Sequence, residues 1–128
     1  MSDELRTVHT EAAPKAIGPY SQAVIAGDLV FVSGQIPLDP TTGALISGDF
    51  TAEVERVLAN LDAVLVAAGC DRSRAVKVTA FLTDLSLFTA FNEIYAAFFG
   101  AHRPARAVVQ VVALPRGARV EIEAVARR

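Results

Sequence analysis

Apolar positions recur along this chain with two different periods, and the points where the period changes divide it into elements. In "TAEVERVLANLDAVLVAAG", Val54, Val57, Leu58, Leu61, Leu65 and Ala68 return at helical spacing. Thr51 or Asp49 offers a cap at the start of this helix, and Gly69 a stop at its end. A second helix is predicted in "DLSLFTAFNEIYAAFFG", where Leu87, Phe91, Ile94, Tyr95 and Phe98 form one stripe. Ser86 or Asp84 is its cap and Gly100 closes it. Period-two runs fill most of the remainder. "AVIAGDLVFVSG" splits at Gly27-Asp28 into two β-rich halves, the pattern of a hairpin. "AVKVTAFL", from Ala75 to Leu82, alternates Val76, Val78 and Ala80 against Lys77 and Thr79. Further strands are expected in "RPARAVVQVVALP", Arg103 to Pro115, and in the closing "ARVEIEAVA". "PLDPTTGALISGDFT" reads as a turn-rich loop with "DPTTG" as its corner.

Strand, helix and strand in succession imply a right-handed crossover with the two strands parallel. The predicted class is therefore α+β, one mixed sheet with both helices on one face. At 128 residues the chain is expected to be a single domain, 1–128. Two helices leave the other sheet face bare, and a second subunit is the simplest cover.

Composition narrows the function classes. Hydrophobic residues make up 52% and charged residues 20%, which suits a packed core and excludes disorder. The net charge of -2 and the lack of any Lys/Arg run give no footprint for nucleic acid. Cys70 is the one cysteine, so no internal disulfide forms, as in a reducing compartment. His9 and His102 lie far apart with no Cys or His cluster around either, so no metal site is expected. The N-terminal stretch lacks the apolar core of a signal peptide, and no long apolar run spans a membrane. A cytoplasmic protein is expected.

Arg106 stands out at the mouth of an apolar strand. Period-two sorting puts Ala107, Val109, Val111 and Ala113 on one face, the natural one for helix packing, and Arg106, Val108, Gln110 and Val112 on the other. The last strand sorts likewise, with Val120, Ile122 and Ala124 opposite Arg119, Glu121 and Glu123. On this reading an arginine and a glutamate meet on the face turned to a partner subunit. Three roles for Arg106 fit the spacing: a strand-end charge in water, a pair with Glu121, or a grip on a small carboxylate.

The segments "AIGPYSQA", "VSGQIPLDPTTG", "NLDAVLVAAG", "FNEIYAAFF", "RPARAVVQVVALP" and "VEIEAVA" occur in the order and spacing of the Rid family (RidA/YjgF-type), the enamine/imine deaminases. The chain resembles that family over essentially its whole length. The resemblance implies a chorismate-mutase-like fold: a mixed six-stranded sheet, two helices on one face, and assembly as a homotrimer with clefts between subunits. It also implies that the final strand inserts beside Ala75–Leu82. The implied reaction is hydrolysis of 2-aminoacrylate- or 2-aminocrotonate-type enamines, or their 2-imino acid tautomers, to 2-oxo acids and ammonia. Pyridoxal-phosphate dehydratases would supply such substrates, and no cofactor or metal is implied for the protein itself.

Carried over residue by residue, the resemblance gives Arg106 the substrate carboxylate, which a planar guanidinium suits better than an ammonium would. Glu121 matches the glutamate that places or activates water. Gly34 and Val108 are implied to orient carboxylate or water through their backbones, while Tyr20, Ser33 and Asn92 line the cleft. Two positions depart from many relatives: Val108 replaces a cysteine, which leaves water as the nucleophile, and Glu53 replaces a glutamine. Other readings of the same clefts are a non-catalytic sensor of small carboxylates and a chaperone-like or RNA-acting protein.

Overall fold

The computed structural model describes residues 4–128. Residues 1–3, the start of the stretch read as free of a leader, lie outside it. The chain forms β1 (Arg6–Val8), β2 (Ala23–Ala26), β3 (Leu29–Gln35), α1 (Phe50–Ala67), β4 (Ala75–Leu82), α2 (Phe88–Phe99), β5 (Ala105–Gln110) and β6 (Val120–Arg127). One sheet has the order β1-β2-β3-β6-β4-β5, antiparallel except where β4 pairs with β5. The fold is α+β, as the sequence implies, and β6 inserts between β3 and β4.

Both helices follow from their apolar stripes. Val54, Val57, Leu58, Leu61 and Leu65 of α1 are buried against the sheet, together with Phe91, Tyr95 and Phe99 of α2. Each fully buried leucine contributes about 2 kcal/mol of transfer free energy. The α1 cap is Asp49, whose carboxylate accepts from the Ala52 N–H at 3.4 Å. Asp84 caps a short 3-10 turn, Leu85–Leu87, so α2 itself begins one turn later without a side-chain cap. Gly69 and Gly100, at φ of 92° and 64°, stop the two helices.

The sheet's covered face is set by Val30 and Val32 of β3, Val78, Ala80 and Leu82 of β4, and Val120, Ile122, Ala124 and Ala126 of β6, all buried. Val76 departs from the expected alternation. A register shift between Ala75 and Lys77 turns Ala75 inward and leaves Val76 exposed. The opposite face carries Phe31, Phe81, Glu121, Glu123 and Val125, and among the described residues no helix lies across it. No helix among the described residues is long and apolar enough to cross a membrane.

The face assignment of β5 is corrected by the structure. Val78 pairs with Arg106, Ala80 with Val108, and Leu82 with Gln110, so these three β5 residues point to the helix side. Val108 packs against the core, whereas Val109 is exposed on the open face. The strand also ends at Gln110, and Val112 stands in water. An edge strand of alanine and valine is apolar on both sides, so its pattern cannot select a face. Arg106 can point to the helix side because it lies at the margin of the helix layer, where its guanidinium stays exposed.

Candidate functional site

The sequence-predicted site residues fall into two groups on opposite faces of the sheet. On the open face, Ile17, Tyr20, Ser33, Gly34, Pro115 and Glu121 line a cleft of about 400 Å³, which Ile36 completes. Its floor is made by a bulge. Val32 pairs with Ala124 but Gln35 pairs with Ile122, so β3 spends one extra residue around Ser33-Gly34. The carboxylate of Glu121 lies directly over that extra length. A Cβ on Gly34 would stand 1.9 Å from Glu121 Oε2 and 2.8 Å from Cδ, so the carboxylate holds its present place only because position 34 has no side chain.

Burial pushes the Glu121 carboxyl above its ordinary value of 4.5, and the neighbouring charge of Glu123 adds to the rise. Ser33 Oγ donates to the Ser21 carbonyl at 2.6 Å, which ties the bulge to the segment before β2. Tyr20 is half exposed, and its hydroxyl accepts from the Ile17 N–H at 3.4 Å.

Two buried amides hold the walls of this cleft, and neither has a signature that periodicity reveals. Gln22 is 2% exposed; its Nε2 donates to the Thr10 and Pro14 carbonyls at 3.0 and 2.8 Å, and its Oε1 accepts from the Thr10 N–H at 2.7 Å. It thereby fixes the turn-rich loop that leads into Ile17 and Tyr20. Asn60, on α1, donates to the Leu38 carbonyl at 3.0 Å and steadies the segment after Gln35.

The second group is at the β5 edge. Arg106 Nη1 donates to Asn92 Oδ1 at 2.7 Å, and its Cζ lies 4.8 Å from the Tyr95 ring centre and 5.7 Å from that of Phe88. Phe88, Asn92 and Tyr95 follow one another at i, i+4 and i+7, one face of α2. Two other arginines are seated on rings in the same manner. Arg72 lies 4.0 Å over Phe98 and binds Asp62 at 3.1 Å. Arg119 lies 5.4 Å over Phe50 and holds Glu53 with two bonds, Nε to Oε1 at 3.1 Å and Nη2 to Oε2 at 2.5 Å. Each of those cations is neutralised by a carboxylate of the chain. Arg106 has the neutral Asn92 instead, and no ion pair with any described residue.

Glu53 thus has an account that its spacing did not supply: it is the buried half of a bidentate pair with Arg119, one residue before β6 and two before Glu121. The expected meeting of Arg106 with Glu121 on one face does not occur within the chain. Phe81 of β4 pairs with Glu121, and Val78 of the same strand pairs with Arg106, three residues away and on the other side. Among the described residues no group of His, Cys, Asp and Glu could hold a metal ion. The larger cavity of about 750 Å³ between α1 and α2 contains none of the candidate residues.

The family model described as Endoribonuclease L-PSP matches residues 10–128. Protein DfrA of Myxococcus xanthus is 56% identical over 94% of each chain. The human 2-iminobutanoate/2-iminopropanoate deaminase is 50% identical over 94% of this chain and 88% of the relative. Among solved structures, E. coli TdcF with bound serine superposes with a TM-score of 0.92 at 44% identity, covering 96% of this chain and 98% of that one.

Proposed function

The chain belongs to the Endoribonuclease L-PSP (Rid/YjgF) family, and from that membership we propose that it hydrolyses reactive enamines and 2-imino acids to 2-oxo acids and ammonia. Relatives named 2-iminobutanoate/2-iminopropanoate deaminase, at about 50% identity across nearly the whole chain, support this reading. The observation that carries it is the uncompensated charge of Arg106, a ring-seated guanidinium with a neutral side-chain partner where Arg72 and Arg119 each have a carboxylate. A small substrate bearing a carboxylate complements it.

Because Arg106 and Glu121 lie on opposite faces, one site that uses both takes Arg106 from one copy and Glu121 from another. A closed homotrimer, with each β5 edge set against the neighbour's open sheet face, meets this requirement. Asn92 and the Val108 backbone then accompany Arg106 into the cleft, while Tyr20, Ser33 and Gly34 accompany Glu121.

The chemistry needs little else. An enamine first takes a proton on carbon to become the iminium, the protonated imine. Water then attacks the imine carbon, forming the C–O bond as the C=N π pair moves to nitrogen, and Glu121 accepts the water's proton. Return of that proton to the amine nitrogen makes it an ammonium; as the C–N bond breaks and ammonia leaves, the hydroxyl oxygen forms the carbonyl of the 2-oxo acid and its proton passes to Glu121. A carboxylate with a raised pKa is the better base for this step. No thiolate takes part, since Val108 stands where many relatives have cysteine. Pyridoxal-phosphate dehydratases are the enzymes that generate such substrates.

Release of 2-oxo acid from enzymatically generated 2-aminoacrylate tests the reading, with wild type, Arg106→Ala and no added protein compared side by side. Acceleration by wild type, reduced about 100-fold in the folded variant, is expected from loss of a charged, bidentate contact. Wild type that matches the blank contradicts it. A second reading, carboxylate binding without turnover, draws on the serine bound to the TdcF neighbour; it requires saturable binding with no acceleration.

A further inference from the structure

We infer that Phe88 and Tyr95 are positioning residues for carboxylate capture, an aromatic seat that holds the Arg106 guanidinium with one edge free. The inference rests on the reading of Arg106 as the carboxylate contact, and it assigns a task to two residues that the site residues taken from sequence do not include. Arg106 sits on an edge strand, and an exposed arginine there would ordinarily sample many rotamers. Three contacts from one face of α2 restrict it. Asn92 takes one N–H of Nη1 at 2.7 Å, and the Tyr95 and Phe88 rings lie 4.8 and 5.7 Å from Cζ, both inside the range of cation–π attraction.

These contacts use one N–H of the fork and bring two rings within cation–π reach of the guanidinium carbon. A guanidinium has five N–H donors in a planar fork, and only one is used by a described residue. The remaining donors lie in the plane that a carboxylate approaches. The same seat under Arg72 and Arg119 coincides in each case with a carboxylate held by the fork, so the chain itself displays the arrangement twice in occupied form. Tyr95 is 6% exposed, and its hydroxyl is buried with no hydrogen-bond partner among the described residues. The hydroxyl therefore adds no bond to the fold, and the ring face is the part of this side chain that Arg106 uses. Phe88, at 38% exposed, is not a core residue, so its ring can be removed without opening the interior.

The test pairs a spectroscopic readout with a binding constant, both on the full chain. The Arg106 Nε–H resonance is identified in ¹H–¹⁵N spectra by its disappearance in Arg106→Lys, and affinity is measured for 2-oxobutanoate, a stable 2-oxo acid. In wild type the resonance is ring-current shifted. Phe88→Leu moves it toward the free-arginine position and raises Kd about threefold, Tyr95→Leu does both with about a tenfold rise, and Tyr95→Phe preserves shift and Kd to within about twofold. Should Tyr95→Leu fail to fold, Phe88→Leu and Tyr95→Phe decide. A resonance and Kd unmoved by Phe88→Leu overturn the seat, as does a Tyr95→Phe variant that loses both. If wild type does not bind 2-oxobutanoate but the resonance is shifted and responds to Phe88→Leu, the seat stands and the carboxylate reading of Arg106 falls.

Discussion

The carboxylate of Glu121 occupies the space that a side chain at position 34 would fill. A Cβ on Gly34 meets Oε2 at 1.9 Å and Cδ at 2.8 Å, and Glu121 is held at its base by the β6 ladder on both sides. Gly34→Ala must therefore push the carboxylate out of the cleft or unwind the bulge. Displacement of a reacting group by about 1 Å costs about 100-fold in rate. Steady-state assay of Gly34→Ala is expected to show that fall in kcat/KM with the far-UV spectrum unchanged; near-wild-type activity would mean that Glu121 does not need its present place.

Glu121 also makes a prediction about pH. Burial and the charge of Glu123 raise its pKa in the folded chain, so between 4.5 and that raised value the folded state holds more proton than the unfolded one. Stability from this group is then full below 4.5 and declines as pH rises through the folded pKa. Glu121→Gln is expected to be more stable than wild type at neutral pH and to lose this decline, as read from urea unfolding at several pH values. The same raised pKa predicts an acid limb in kcat/KM above 4.5, because the base must be ionised to accept a proton.

The Glu53–Arg119 pair anchors the chain just before Glu121. Glu53 is 1% exposed, whereas the Arg119 side chain is 40% exposed, so screening reduces what the pair contributes. Arg119→Leu leaves a buried carboxylate without its cation and is expected to destabilise by about 2–3 kcal/mol. Glu53→Gln, which keeps an acceptor for Arg119, is expected to lose about 1 kcal/mol. Denaturant midpoints check both, and equal losses in the two variants would refute the pairing as the cause.

Much of the fold is legible in the sequence because its stripes are long and unambiguous. Val54 to Ala68 can form only one helix face, and Val120, Ile122 and Ala124 only one strand face. The side on which Arg106 lies is not legible. Alanine and valine flank it on both faces of an edge strand, and its long stem lets a charge rest over the helix layer. Val76 is misread for a related reason: the shift at Ala75–Lys77 is set by pairing with β6, which no local pattern encodes. The candidate site is legible as a set of residues through the family resemblance, but not as a geometry. The bulge at Ser33-Gly34, the Arg119 partner of Glu53 and the aromatic seat under Arg106 are all contacts between segments distant in sequence.

The central proposal is that Arg106 and Glu121 act in one site from different copies of the chain, and mixing two inactive variants tests it most directly. Arg106→Ala and Glu121→Gln are unfolded, combined in equal amounts and refolded together, then assayed for 2-oxo acid release from enzymatically generated 2-aminoacrylate. In a closed ring with random assembly, about a quarter of the sites receive an intact Arg106 from one copy and an intact Glu121 from the next. Recovery of about a quarter of wild-type activity, from two proteins that are each inactive alone, is the expected result. A mixture as inactive as its components would contradict the shared site.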